Sequence, residues 1–360
     1  MPVASEGLRD EALRFRGSEA HSLRSGHRYR TAEPARRGWV PMISEVSVVA
    51  TVLNEVASIG SLVEALMAGS RLPDEILITD AGSTDGTWEE LQRLASKHSS
   101  LRPLRVIGNR SAGRNAAIGR ASHDVIACID GGCPPHPGWL AELVAPFEEG
   151  AVWVGGFYEP VGSTRQISIG LTMVFVLEEA RSDVFLPSAR SMAFSKAAWA
   201  RVGGFPEHLE VSEDTAFGEA MRSAGFDLVF RPEALVDWVP PRKFREQARV
   251  LWKWSRSDGV AGIREFGYLW SLRFVKVSGI AVVVLALLDV RLAPLGLLPL
   301  VFLMGRQTRY KYRWATGFAK YLWISTAWLV GLVSSCGGFI AGARERRRHR
   351  VGDVRSRDDG

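Results

Sequence analysis

The chain has 360 residues, 46% of them hydrophobic, with 45 Lys and Arg against 39 Asp and Glu and only three cysteines. This length and composition support one large core with one accessory region, and the cysteine spacing excludes a disulfide framework and a structural zinc site. The basic excess lies near the two ends of the chain, which favours an anionic membrane surface as a partner and argues against nucleic acid.

The first segment, residues 1–43, is rich in arginine and has almost no apolar periodicity. It is predicted to be a disordered arm, which serves either as a tether to a lipid surface or as a solvated tail. Its first residues lack the apolar core of a secretory signal. We therefore expect the folded domain to lie on the cytoplasmic side of the cell membrane.

Short apolar runs alternate with amphipathic helical patterns from residue 44 onward. This alternation predicts an α/β domain over residues 44–265, with a mostly parallel sheet and helices on both of its faces. The strands are expected at Val46–Val52, Glu75–Thr79, Leu104–Ile107 and Val125–Ile129, with a short helix around Arg114–Gly119. The later part of the domain predicts a helix over Thr172–Ala180, a strand over Ser191–Phe194 and a helix after Glu213.

Long apolar stretches follow this domain. Residues 270–343 are predicted to be membrane-associated helices, with a basic, polar tail at 344–360. Tyr321–Ala341 carries no charge and has the length of a transmembrane helix. Phe274–Met304 is interrupted by charges and prolines, so a kinked span, a helical hairpin and a re-entrant or interfacial segment are all open.

The topology of these segments conflicts with the positive-inside tendency in either simple arrangement. A single first span would put the basic stretch Arg306–Lys320 outside the cell. A hairpin followed by a span would instead put the cluster Arg344–Arg350 outside. The sequence alone therefore leaves the number and orientation of the spans open.

Three of the predicted strands are followed by acidic residues. Glu55 comes after the first strand, Asp80 ends the second and Asp130 ends the fourth. Ligands of doubly wound sheets bind outside the carboxyl ends of the strands, where a carboxylate accepts hydrogen bonds from a base or ribose. The turn Gly82-Ser83 lets the backbone approach such a ligand closely. For Asp80 and Asp85, the alternative is a turn followed by a helix N-cap.

The order of these motifs resembles a family 2 glycosyltransferase with the GT-A fold, over roughly residues 45–260. Leu53-Asn54-Glu55 resembles the family's strand-end motif, and Asp80–Thr87 resembles its base- and ribose-binding turn. Arg114-Asn115 matches the pair that lines the donor pocket. The resemblance implies a donor half at 44–155 and an acceptor half at 156–265. The donor-binding residues that it implies are Thr51, which stands where a proline is common, Asn54, Glu55, Asp80, Gly82, Ser83, Arg114, Asn115 and Asp130.

A divalent cation, Mg²⁺ or Mn²⁺, is also implied by the resemblance. Asp130 matches the first acid of the family's metal-binding Asp-X-Asp triplet, whereas Gly132 stands in place of the last acid. Asp130 would then be the protein ligand, and waters and donor phosphates would supply most other oxygens. The alternative is that arginine or lysine side chains take over part of the charge stabilisation.

The acceptor half resembles the family in Ala189–Phe194, Val202–Phe205 and Glu213-Asp214. In the family the acid at the position of Asp214 is the general base, which implies that Asp214 and the adjacent Glu213 are catalytic. Displacement at the anomeric carbon requires the acceptor hydroxyl to lose its proton, and a carboxylate opposite the diphosphate takes it, with inversion. The alternative is a pair of first-turn acids favoured by the helix dipole.

Arg256 follows a helix that bears Trp252 and Trp254, in the region where related enzymes close over the donor diphosphate. We expect Arg256 to bind phosphate and the tryptophans to stack on sugar. The alternative is an amphipathic helix that lies on a membrane surface.

Two functions are compatible with these residues. The first is inverting transfer of a sugar from a nucleotide-sugar donor to a hydroxyl acceptor, a lipid-linked or cell-envelope glycan, at the membrane. The second is a catalytically inactive protein of the GT-A fold that binds nucleotide or glycan as an accessory, which the missing triplet acid favours. A polymer synthase that exports its product is disfavoured because the chain has few spans.

Overall fold

The structure, a computed structural model, describes residues 45–180, 185–314 and 319–358, so the predicted arm lies outside the described residues. Within these ranges the strands are β1 (Val46–Val52), β2 (Glu75–Asp80), β3 (Leu101–Arg105), β4 (Val125–Cys128), β5 (Trp153–Pro160), β6 (Met192–Ser195) and β7 (Leu228–Trp238). They form one sheet in the order β3-β2-β1-β4-β6-β5-β7. β6 is antiparallel to β4 and β5, and the other pairs are parallel.

The helices cover both faces of this sheet and continue beyond it. In the α/β domain they are α1 (Ile59–Met67), α2 (Thr87–Ala95), α3 (Arg110–Arg120), α4 (Trp139–Val144), α5 (Thr164–Met173), α6 (Lys196–Arg201), α7 (Glu213–Ser223) and α8 (Phe244–Ala261). After the domain come α9 (Glu265–Leu288), α10 (Leu298–Thr308), α11 (Lys311–Trp314) and α12 (Lys320–Asp358). Short 3-10 segments cover Ala145–Glu149, Leu177–Glu179 and Val290–Leu297.

The core lies on both sides of the sheet, as the largely apolar sequence of β1 predicts. Val48 and Ala50 belong to the cluster shared with α1, α2 and α4, whereas Val49 belongs to the cluster shared with α3 and α7. Successive strand side chains point to opposite faces, so a strand buried on both faces is apolar throughout. The parallel strands β1, β2 and β4 also end at one edge, which brings their following acids together.

Two predicted elements are wrong. The third strand is Leu101–Arg105, not Leu104–Ile107, and Ile107 is exposed. β3 lies at the sheet edge, where Pro103 is tolerated because no further strand needs its missing N–H. In place of the helix predicted at Thr172–Ala180, α5 begins after a capping box of Ser163 with Gln166 and ends at Met173. The helix predicted around Arg114 is confirmed and longer.

Two helices of the C-terminal region are long and apolar enough to cross a membrane, at Gly267–Leu288 and Lys320–Arg348. The first of them lies in α9, after which the chain turns back through the 3-10 segment into α10. Gly296 lies directly on the backbone of Val282, where a Cβ would come 2.6 Å from the Val282 Cα. Among the three arrangements open for this region, the structure has a helical hairpin.

Candidate active site

Two loops at the carboxyl edge of the sheet are joined by residues predicted to bind the donor. Asn54 follows β1 in the left-handed region, with a φ of 57°. Its N–H donates to Ser83 Oγ, and its Oδ1 accepts from the Thr84 N–H, both at 2.9 Å. The Glu55 N–H donates to Thr87 Oγ1 at 2.8 Å. These bonds fix the two strand-end loops against each other.

Asp80 shapes the turn after β2. It is fully buried, and its Oδ1 accepts from the N–H groups of Gly82 and Ser83 at 3.2 and 2.8 Å. Gly82 has a φ of 104°, a conformation that favours glycine. Arg105 Nε lies 3.7 Å from the other carboxylate oxygen. The side chain therefore acts as the turn alternative requires, and its contact with a base or ribose stays a prediction.

Thr51 lies where α3 approaches β1 most closely. A Cβ added at Gly113 would come 2.5 Å from Thr51 Cγ2, so only glycine fits there. Thr79 Oγ1 donates to the Gly113 carbonyl oxygen at 3.0 Å. These contacts make Thr51 part of the strand–helix packing, and its contact with a donor stays a prediction.

Arg114 joins the donor half to the acceptor half. Its guanidinium is buried and donates to Asp130 Oδ1 at 2.7 Å and to Glu213 Oε1 at 2.6 Å. Burial would lower the pKa of Arg114, but the charges of Asp130 and Glu213 raise it above its ordinary value. Three of the predicted residues, Arg114, Asp130 and Glu213, are thus in direct contact, although they come from different motifs of the sequence.

The charge of Asp130 is stabilised by its arginine neighbours. Burial would raise the pKa of Asp130, but the positive charges of Arg114, Arg190 and Arg110 hold it below its ordinary value of 3.8. Its stabilising contribution is therefore present above that value and is lost only as the pH falls through the lower, folded-state pKa. At neutral pH this carboxylate is charged.

A second arginine, Arg190, lies beside Asp130 and was not among the predicted site residues. Its Nε is 3.9 Å from Asp130 Oδ2, and its guanidinium lies 5.0 and 5.2 Å from the ring centroids of Tyr158 and Trp238. Its Nη1 donates to Ser188 Oγ at 2.9 Å. Arg190 lies within the family-like motif Ala189–Phe194, but its position beside Asp130 is not visible in sequence, because its aromatic neighbours come from β5 and β7.

Asp214 is held by three donors at the start of α7. Its Oδ2 accepts from Ser188 Oγ at 2.9 Å and from the Ala189 N–H at 3.4 Å, and its Oδ1 accepts from the Thr215 N–H at 2.7 Å. Ser188 also binds the second arginine. The Asp214 carboxylate is therefore linked to Asp130 through the side chains of Ser188 and Arg190.

Asn115 is directed away from this group of charges. Its amide nitrogen donates to the Phe205 carbonyl and to Glu207 Oε1, at 2.8 and 2.9 Å. Its Oδ1 accepts from the Phe205 N–H and from Trp199 Nε1, at 2.9 and 3.2 Å. The side chain holds the segment after α6 in place, and its predicted contact with the donor is not tested.

Arg256 pairs with a C-terminal helix. Its Nη2 lies 2.7 Å from Glu345 Oε2, and Trp252, one turn earlier on α8, packs against Gly337 of α12. The structure does not join Arg256 to the arginines around Asp130. Its predicted contact with donor phosphate therefore stays a prediction.

The residues around Asp130 fit a metal ion only with help from a ligand. No group of three or more His, Cys, Asp or Glu that could hold a metal occurs among the described residues. One oxygen of Asp130 binds Arg114, and the other has only the looser contact with the second arginine. One carboxylate oxygen is thus available, and a divalent cation there would need further oxygens from phosphate and water. His136 does not join Asp130: its Nε2 lies 2.9 Å from Asp237 Oδ1.

Cys133, three residues after Asp130, is buried. Burial raises its pKa to about 12, so it is a neutral thiol at physiological pH rather than a nucleophile. Cys133 is therefore a small packing residue.

Comparisons with known proteins identify the domain. Residues 47–200 match the family model of glycosyl transferase family 2. The chain is 28% identical over 209 residues to glycosyltransferase AglE of Haloferax volcanii, which covers 56% of this chain and 68% of that relative. It is 33% identical over 130 residues to undecaprenyl-phosphate 4-deoxy-4-formamido-L-arabinose transferase of Yersinia enterocolitica. That match spans 34% of this chain and only 37% of the relative.

A comparison with solved structures identifies the fold of the chain. The solved structure of mannosyltransferase PcManGT from Pyrobaculum calidifontis, in complex with GDP-Man and Mn²⁺, superposes with a TM-score of 0.50 at 16% identity. The likeness covers 84% of this chain and 87% of that one. The predicted fold, a GT-A-type sheet with apolar C-terminal helices, is thereby confirmed. The family match and the two relatives show that residues 47–200 of the chain are similar to glycosyl transferase family 2.

Proposed function

We propose that the protein transfers a sugar, with inversion, from a nucleotide-sugar donor to a hydroxyl of a lipid-linked or cell-envelope glycan acceptor. The observation that carries the proposal is the contact of Arg114 with both Asp130 and Glu213. Through it, the acid at the end of the donor-half strand and the first acid of α7 bind one guanidinium. A family 2 domain with that arrangement has the parts that transfer requires.

The arginines suit the departing diphosphate. Arg190 lies partly exposed beside Asp130, and its position between two aromatic rings limits its movement. A guanidinium fixed near a leaving diphosphate stabilises the negative charge that develops there. We assign Arg190 to this role, together with a divalent cation.

The cation, Mg²⁺ or Mn²⁺, would be held by Asp130 and by the donor itself. It would offset the charge of the leaving diphosphate when bound. The Mn²⁺ bound by the archaeal mannosyltransferase supports a cation in this fold, and the single free oxygen of Asp130 limits the protein's share of its ligands.

Asp214 would accept the proton of the acceptor hydroxyl. Three hydrogen-bond donors orient its carboxylate, so little reorganisation is needed when the acceptor binds. Glu213 would act indirectly, because its carboxylate is bound to Arg114. Inversion follows from attack on the face opposite the diphosphate.

The acceptor and the location follow from the apolar helices and one relative. The enterobacterial relative is named for transfer to undecaprenyl phosphate, which supports a lipid-linked acceptor. Two apolar helices beside the domain would hold it at the cell membrane. We place the catalytic domain on the cytoplasmic side.

The test uses purified full-length protein, a panel of nucleotide-sugars and Mg²⁺ or Mn²⁺, with release of nucleoside diphosphate as the readout. Asp214→Asn is expected to lower turnover at least about 100-fold, because it removes the proton acceptor. Glu219→Gln is the matched control, since it removes an exposed acid from the same helix and should leave turnover unchanged.

The accessory function predicts a different result. Donor would bind, but no nucleoside diphosphate would be released with any acceptor tested, and Asp214→Asn would change nothing. Turnover in the parent that persists in Asp214→Asn would instead show that another group is the base.

A further inference from the structure

The hydrophobic hairpin returns to the side from which it starts. Phe274 on α9 stacks on Phe302 on α10, with ring centroids 6.3 Å apart, and Gly296 packs on Val282. These pairs run in opposite directions along the two arms. The chain therefore goes out along α9 and comes back along the 3-10 segment and α10.

Both ends of this hairpin contact the catalytic domain. Before α9, Arg264 Nη2 donates to Thr215 Oγ1, beside the proposed base, at 3.0 Å. After α10, Lys311 Nζ donates to the Val174 carbonyl and to Glu179, at 2.8 and 2.9 Å. Whatever surface the hairpin enters, its two ends stay on the side of the catalytic domain.

The hairpin has the dimensions and surface of a membrane insertion. The apolar window in α9 is only 6% buried within the protein. Its 22 residues, Gly267–Leu288, would extend about 33 Å as a helix, close to the thickness of a bilayer's hydrocarbon core. Arg273 and Lys276 lie in its first half, about 9 and 14 Å from Gly267, and Asp289 and Arg291 lie at its tip.

The second apolar helix, α12, has different surroundings. It lies along α8 of the catalytic domain, from Gln247, which donates to the Ala327 carbonyl, to Gly262 beside Arg346. Glycines permit this close contact: a Cβ at Gly338 would come 2.5 Å from the Trp252 carbonyl oxygen. A backbone approach of this kind fixes one helix to the other along most of its length.

A crossing α12 would carry α8 into the bilayer. The exposed face of α8 bears four charged residues, Arg245, Arg249, Lys253 and Arg256. Charges in hydrocarbon are costly unless they reach a headgroup or a partner. On the surface of an anionic leaflet the same face is favourable.

We propose that the protein enters the membrane only through the α9–α10 hairpin and that α12 lies along the anionic leaflet facing the catalytic domain. In that arrangement the basic stretch around Lys311 and the arginines that end α12 stay on one side. The conflict with the positive-inside tendency then disappears. The proposal concerns lipid contact alone and does not depend on the transfer reaction.

The experiment maps single cysteines in the full chain with a membrane-impermeant maleimide on sealed vesicles. Lys97→Cys, exposed on the catalytic domain, reports the side of that domain. Arg313→Cys lies after the hairpin, Arg344→Cys on α12 and Arg291→Cys at the hairpin tip. The parent chain, whose three cysteines are buried, measures the background.

We expect Lys97→Cys, Arg313→Cys and Arg344→Cys to be labelled from the same side. Arg291→Cys should not be labelled from that side until detergent is added. Labelling of Arg313→Cys or Arg344→Cys only from the opposite side would overturn the proposal. So would labelling of Arg291→Cys from the catalytic side in sealed vesicles. Each variant must unfold at the parent's temperature, and Arg347→Cys replaces Arg344→Cys if the latter does not.

Discussion

At the scale of single residues, the site depends on one buried arginine and its two carboxylate partners. Arg114 is the buried cation between Asp130, whose side chain is 26% exposed, and Glu213, which is buried. Removing one member of a buried ion group leaves the others without compensation, which costs more than the group contributes as a whole. Arg114 thus contributes both to the stability of the fold and to the arrangement of the site.

Arg114→Met is therefore expected to destabilise the protein by about 3–5 kcal/mol, because the buried Glu213 and the partly buried Asp130 lose their shared partner. In thermal unfolding of the detergent-solubilised protein this corresponds to a Tm lower by about 10 °C. Arg120→Met, on the exposed end of the same helix, is the control and should leave the Tm near that of the parent. An unchanged Tm in Arg114→Met would show that the ion group is not a structural element.

At the scale of elements, the catalytic domain and the C-terminal helix are joined by glycines. A Cβ at Gly342 would overlap the Arg256 carbonyl oxygen, and one at Gly259 would come 2.5 Å from the Phe339 carbonyl oxygen. Since these neighbours are backbone atoms, they cannot move aside as a flexible side chain does. The contact of α8 with α12 therefore requires residues without side chains at these positions.

Gly342→Ala should separate the two helices and lower the stability by about 1–3 kcal/mol, the usual cost of an overpacked contact. Gly119→Ala is the matched control on α3, where an added Cβ meets nothing within 4 Å. That variant should be neutral or more stable by about 0.5–1 kcal/mol, because alanine favours a helix over glycine. Equal unfolding temperatures for the two variants would contradict the close packing of α12.

At the scale of the whole molecule, the proposed membrane contact rests on an exposed apolar hairpin and a basic surface beside it. Two of the described helices are long and apolar enough to cross a membrane. In α9, the first arm of the hairpin, 6% of the apolar window is buried, whereas in α12 the share is 44%. The surface charges add attraction to anionic lipids that salt weakens. Insertion of the hairpin should be insensitive to salt.

High salt should therefore leave the full chain in the membrane fraction, and detergent should release it. Ile280→Arg, near the middle of the apolar window and 55% exposed, places a charge in the hydrocarbon at a cost of about 3 kcal/mol. This variant should become partly extractable by salt. Leu72→Arg, 47% exposed on the donor half, is the control and should sediment like the parent. If both variants behave alike, the hairpin is not inserted.

Much of the fold and part of the site could be predicted from the chain itself. Buried strands, such as Val46–Val52, are marked by largely apolar runs, and the acids that follow them lie at one sheet edge by the geometry of parallel strands. The order of these motifs also indicates the family. Such signals are local, since each depends on residues a few positions apart.

The tertiary structure decided what long-range contacts control. Arg114 and Glu213 are 99 positions apart, and no spacing rule predicts that one guanidinium bridges them. Nor does any rule predict that Arg190 lies between rings from β5 and β7, or that Asn115 holds a later loop. The amphipathic helix α8 and the apolar α12 read as separate membrane elements in sequence. Only their backbone contact at glycines joins them, because packing depends on shape in three dimensions rather than on pattern along the chain.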